Sequence, residues 1–183
     1  MENINDINHA HNIIFSDIDD TLYTDIFMTK KIFNTHQIIK SLKPSHIIFI
    51  SARPNILRYF TKMNLMKDFS KFTLLMGSLY SLIMYLFLYG IYLITSNIHI
   101  LHMSQQIIGM EKIRQFDFYL KNNHMLILSE TKTNHIYFFG DNIQGDEIFA
   151  SYLMRHMNHI YEIDNKSYKI SCMVSIRNVM DYI

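Results

Sequence analysis

One cysteine in 183 residues, Cys172, leaves no internal disulfide and no thiolate metal site, so a reducing compartment, intracellular and cytoplasmic, is expected. Five Gly and two Pro are few enough that each position is worth examining, and no internal repeat or low-complexity linker interrupts the chain. An excess of one charge is missing too. Lys plus Arg number 17 against 16 Asp plus Glu, a formal charge of +1, and without a basic tail or stripe no nucleic-acid partner is expected. Residues 1–12 (MENINDINHAHN) lack the basic-then-apolar order of a secretory signal. Apolar residues make up 49% and charged ones only 18%, which excludes wholesale disorder and leans towards a greasy surface. The length suits one domain with a real core.

The longest absence lies between Lys71 and Glu111, where no Asp, Glu, Lys or Arg occurs. Within it, residues 74–94 (LLMGSLYSLIMYLFLYGIYLI) have the length of a bilayer span, yet Gly77, Ser78, Ser81 and Gly90 break the run. The competing expectation is a buried strand followed by a buried helix. A single crossing would also place the candidate site residues described below on opposite sides of a membrane. What remains is burial, an oligomer contact, or a peripheral membrane contact through 74–94.

Short β-branched and aromatic runs at 12–16, 46–50, 72–76, 135–139 and 159–163 predict strands, and helical patterns fit 31–42, 55–66, 104–122 and 146–156. Strand alternating with helix predicts an α/β fold, a parallel central sheet with helices on both faces. In such sheets ligands bind beyond the carboxyl ends of the strands, so the polar residues there carry the interest.

The first run ends at Asp17-Ile18-Asp19-Asp20-Thr21. In an extended segment Asp17 and Asp19 point the same way, and two carboxylates so close demand a proton or a cation. Alone, the pair also fits an acidic turn. The fourth run ends at Gly140-Asp141-Asn142-Ile143-Gln144-Gly145-Asp146-Glu147, where the glycines allow a tight loop and Asp146 can face the crevice or cap the next helix. Two acidic clusters at strand ends describe a hard-cation site, most plausibly for Mg²⁺. The second run ends at Ser51-Ala52-Arg53-Pro54. With Pro54 as the first residue of a helix, the Ser51 hydroxyl and the helix N–H groups can meet a phosphate oxygen, and Arg53 either adds donors or forms a surface ion pair.

The combination resembles the haloacid dehalogenase-like (HAD) hydrolase superfamily over about residues 12–150, through Asp17, Asp19 and Thr21, then Ser51, then Asp141 and Asp146. DIDDT, SARP and GDN-x-Q-GDE look more like the lipin and App1 type of phosphatidate phosphatase. The resemblance implies a Rossmann-like fold and an Mg²⁺-dependent phosphomonoesterase working through an aspartyl-phosphate. Asp17 would be the nucleophile, ionised without a helper base, and Asp19 the general acid and base. Asp17, Asp19 through its backbone carbonyl, and Asp141 would hold Mg²⁺, with Asp146 supporting. A Lys pairing with nucleophile and phosphate is implied as well: Lys112 is the first choice and Lys121 the alternative.

The single domain is expected to span 1–183 with its core at about 12–165, no large cap domain, and a small apolar insert at about 72–110. The substrate would be a phosphorylated small molecule or a lipid phosphate. The rival expectation is a catalytically inactive module of the same fold that binds a membrane or a protein partner through its apolar segment. His9 with His11, His99 with His102, and His156 with His159 lack a third ligand, and no zinc site is assigned. Cys172 reads as a small buried residue.

Overall fold

The computed structural model describes residues 11–25, 27–141 and 144–177. His9, Asn142 and Ile143 lie outside them, as does the side chain of Gln144. The first four apolar runs form β1 (His11–Ser16), β2 (His46–Pro54), β3 (Thr73–Gly77) and β4 (Asn134–Asp141). All pair in parallel, with β1 between β2 and β4 and β3 outside β2.

These strands are apolar on both faces because each face meets a core. Ile13, Phe15, Ile48, Ile50, Ile136 and Phe138 point into one, while Ile14, Phe49 and Phe139 point into the other. The first core is closed by α4 (Ile98–Ile127) and α5 (Gln144–His156), through Phe116, Leu120, Phe149 and Leu153. The second is closed by α1 (Phe33–Ser41), α2 (Arg58–Leu65) and the loop after β1, through Ile39, Leu65, Leu22 and Tyr23. Each fully buried side chain of this size contributes ~1.5–3 kcal/mol before its entropy cost.

The sheet has six strands in the order β3-β2-β1-β4-β6-β5, mostly parallel, and it curls as a half-barrel. It is mixed rather than purely parallel. The run at 159–163, expected as a parallel strand, is β5 (His159–Ile163), an edge strand antiparallel to β6 (Lys166–Arg177). Asp164 and Asn165 turn between them with φ of 49° and 61°, the paired left-handed conformation of a two-residue hairpin. β6 is in turn parallel to β4, so the sheet continues well past residue 165.

Two other expectations change. Pro54 does not open an α-helix: it ends β2 in an extended conformation, after a register shift between Ser51 and Pro54, and a 3-10 turn (Asn55–Leu57) precedes α2. The apolar run is β3 followed by α3 (Leu79–Thr95), as one alternative held, yet α3 is not buried. Ser81 is its one buried residue, whereas Phe87 is 60% and Ile94 86% exposed. The sheet's faces are already covered, and α3 packs chiefly on α4, with further contacts to β2. Among the described residues no helix is long and apolar enough to cross a membrane. Ser96, with φ of 52°, and Asn97, which caps α4 by accepting from the His99 N–H at 3.0 Å, join α3 to α4 as a helical hairpin.

Candidate active site

The site forms where β1 and β4 end side by side. Their register carries on past the strands, and the Asp17 N–H donates to the Phe139 carbonyl at 2.9 Å, which sets Asp17 beside Asp141, the last residue of β4. Asp146 sits in the first turn of α5, and its Oδ2 accepts from the Asp141 N–H at 3.0 Å. Oxygens of Asp17, Asp141 and Asp146 all lie within 4.8 Å of one another, and all three residues are buried.

Lys112 reaches this cluster from the middle of α4. Its Nζ lies 3.1 Å from Asp17 Oδ2 and donates to Asp146 Oδ1. Only 2% of Lys112 is exposed, which would ordinarily lower an ammonium's pKa, but the Asp146 and Asp17 carboxylates outweigh burial and hold it above its usual value. Burial pushes the Asp17 carboxyl well above the ordinary range. Lys112 pulls it back, and Asp146, Asp19 and Asp141 push it up again. Among the described residues three carboxyl groups meet beside Lys112, and hard oxygen donors of this kind suit a divalent cation such as Mg²⁺.

Gly140 is needed for close approach rather than for a turn. Its φ is not positive, and a Cβ there would lie 2.6 Å from Asp146 Oδ2. Gly145, also without a positive φ, lets α5 approach Ile108 of α4, where a Cβ would lie 3.0 Å from the Ile108 side chain. Both glycines therefore bring α4, α5 and β4 together around the acids.

The remaining predicted residues are placed differently. The Asp19 carboxylate is not part of the cluster: Arg53 Nε donates to its Oδ1 and Oδ2 at 3.0 Å each, and Arg53 Nη2 donates to Oδ1. Arg53 thus forms the ion pair that was its alternative, a half-buried one, with the Arg53 side chain 7% and the Asp19 side chain 39% exposed. Arg53 Nη1 is buried without a hydrogen-bond partner among the described residues. Ser51 is fully buried in β2, and its Oγ accepts from the Arg53 N–H at 3.1 Å. Lys121 is exposed on α4, so Lys112 alone of the two meets the acids.

Asp17, Asp19, Asp141, Asp146, Lys112 and Arg53 line a cavity of about 790 Å³. Its apolar wall was not anticipated. Phe27, Leu57, Phe60, Leu82, Tyr85 and Ile108 supply it, from the loop after β1, the turn after β2, and the α3–α4 hairpin. Glu111, also unanticipated, anchors that hairpin. It accepts from the Ser78 N–H at 2.9 Å, the Ser81 hydroxyl at 2.8 Å and Arg114 at 2.7 Å. Burial opposes its charge, but Arg114, Ser81 and Ser78 prevail and hold the carboxyl below the usual range. Glu111 thus fixes the start of α3 beside Lys112.

No protein family, curated protein or solved structure matches the chain.

Proposed function

We propose that the chain is a Mg²⁺-dependent phosphomonoesterase of the HAD-like, Rossmann-like type, working through an aspartyl-phosphate. One observation carries this reading: Asp17, Asp141 and Asp146, drawn from two segments of the chain, meet with Lys112 from a third in a buried cluster that opens on a cavity.

In this reading Asp17, Asp141 and Asp146 hold the metal, which when bound offsets carboxylate and phosphate charge and stabilises the charge that develops in transfer. An Asp17 oxygen attacks phosphorus, the ester oxygen leaves, and the phosphoryl group passes to the carboxylate. Lys112, already against Asp17, neutralises the nucleophile's neighbourhood and a phosphate oxygen. Arg53 supplies its unpartnered Nη1–H to another phosphate oxygen, which gives a buried guanidinium donor the partner it lacks. In this reading Asp19, which lines the same cavity, protonates the leaving oxygen and then takes a proton from the water that releases phosphate. Ser51 positions Arg53 by accepting its backbone N–H.

The test is hydrolysis of p-nitrophenyl phosphate by purified protein with 5 mM MgCl₂ or with EDTA. Wild type is expected to turn over only with Mg²⁺, and Asp17→Asn to lose activity by ~10³-fold or more while keeping its circular dichroism spectrum. Wild-type activity in Asp17→Asn rules out the mechanism.

The exposed apolar face of α3 favours a second reading, a non-catalytic module that docks on a membrane or a partner protein through that helix. Firm co-sedimentation with liposomes, together with inactivity on a broad phosphate panel, would favour it.

A further inference from the structure

The cavity is lined by two chemically different sets of residues, and only one is used by the mechanism above. The acids, Lys112 and Arg53 make up the first. The second is Phe27, Leu57, Phe60, Leu82, Tyr85 and Ile108, and the whole cavity's about 790 Å³ falls in the ~300–1,000 Å³ range of small-molecule sites. We propose that the site takes a phosphomonoester whose alcohol is a single apolar group, alkyl, terpenoid or aryl, with that group held between the turn after β2 and the α3–α4 hairpin. This rests on the phosphatase reading and adds the substrate class to it.

Three observations carry it. Phe60 is 40% exposed and Leu57 41%, and no part of the described chain covers these walls, so an apolar ligand gains by covering them. Arg53 lines the cavity together with the acids and Lys112, and its buried Nη1 has no partner among the described residues, so the anionic group belongs beside these residues. Tyr85 and Gln105, whose Oε1 is buried without a partner among the described residues, are the polar residues that α3 and α4 contribute to the lining beside Lys112. A sugar or nucleoside would bury several hydroxyls against a wall offering few partners, each unpaired group costing about tenfold or more in affinity. Leu82 and Tyr85 act as specificity determinants, because they belong to the hairpin that Glu111 ties to α4 next to Lys112.

The experiment uses monomeric probes, below their micelle concentrations, so that no lipid surface contributes. Binding of n-alkyl phosphonates from ethyl to decyl is measured by calorimetry with MgCl₂ present, and turnover is measured for the matching alkyl phosphates, glucose 6-phosphate and adenosine 5′-phosphate. Affinity and kcat/KM are expected to rise about two- to fourfold per methylene until the wall is covered. Phe60→Asp and Leu82→Asp should flatten that dependence, and the wild-type series stands as a test even if either variant folds poorly. A flat chain-length series, or a preference for the sugar or nucleotide phosphate, overturns the proposal. Turnover with a flat series leaves the phosphatase reading standing and removes the substrate class. Steeply chain-dependent binding without turnover of any phosphate does the reverse.

Discussion

Replacing Lys112 by Met removes the ammonium that Asp17 and Asp146 share while keeping the length and most of the volume of the side chain. Lys112 and Asp146 are 2% and 1% exposed, so water cannot take over the charge balance. Breaking a buried pair by deleting one partner costs ~3–5 kcal/mol, and in a domain of this size each kcal/mol moves Tm by roughly 2–4 °C. The expected drop at pH 7.5 in EDTA is therefore ~6–20 °C, followed by differential scanning fluorimetry. The pH dependence has a definite sign. A carboxyl whose pKa is raised in the fold binds its proton more tightly there than in the unfolded chain, so its contribution falls as pH rises from the ordinary value of ~3.9 towards the folded one. Asp17 is already raised by burial, and without Lys112 it rises further. The deficit of Lys112→Met should thus be largest at neutral and alkaline pH and shrink on acidification. MgCl₂ at 100 times its Kd should return ~2.7 kcal/mol, because a cation can take the place that the ammonium leaves. A Tm within 2 °C of wild type in EDTA would refute the reasoning, since it would mean that the acids are hydrated rather than buried together.

Gly140→Ala should shift Asp146 through a Cβ placed 2.6 Å from its Oδ2, weaken Mg²⁺ binding by about tenfold in calorimetry, and cost ~1–3 kcal/mol in urea unfolding. Gly90→Ala is the contrast: its Cβ meets nothing within 4 Å in the interior of α3, so Tm should rise with a gain of ~0.8–1.0 kcal/mol. His36 is held below its ordinary pKa by burial, with its ring stacked on Phe69 at 5.4 Å. The unfolded chain therefore takes up that proton first, and stability should decline as pH falls through ~6.5 and level off below the folded value. His36→Phe should remove this slope from urea midpoints measured between pH 7.5 and 5.

Much of the fold was legible because β1 to β4 are buried on both faces and so read as unbroken apolar runs. The acids were legible because a carboxylate directly after such a run has few structural reasons to be there. β6 escaped because it is a strand of the other kind: Tyr168, Ile170 and Cys172 are buried and alternate with Lys169, Ser171 and Met173, a period of two that a search for continuous runs passes over. The cavity wall escaped for a different reason. Leu57, Phe60, Leu82, Tyr85 and Ile108 come from three segments, and no local spacing announces that they meet. Hydropathy left α3 open between burial and a membrane or partner contact, because it measures what a helix is made of and not whether a sheet face remains free to receive it. The Arg53–Asp19 pair was half legible: the guanidinium was assigned to the site, and its partner depended on the irregular end of β2, which no propensity specifies.

The strand order explains why these particular residues meet. From β1 the chain moves to β2 and β3 on one side, and after α4 it returns to β4 on the other, so the segments leaving β1 and β4 diverge and open a crevice at the centre of the sheet. Asp17 and Asp141 lie at its floor because their strands are neighbours in register. α4 makes the return journey from the hairpin to β4, which obliges its middle to pass over that crevice, and Lys112 is the residue that it presents there. The same passage carries Ile108 and, through Glu111, the start of α3, so the apolar wall and the charged floor are two parts of one connection. A change that moves α4 relative to the sheet must then alter metal affinity and alkyl-chain preference together, whereas a change confined to the tip of the hairpin near Ser96 should alter neither.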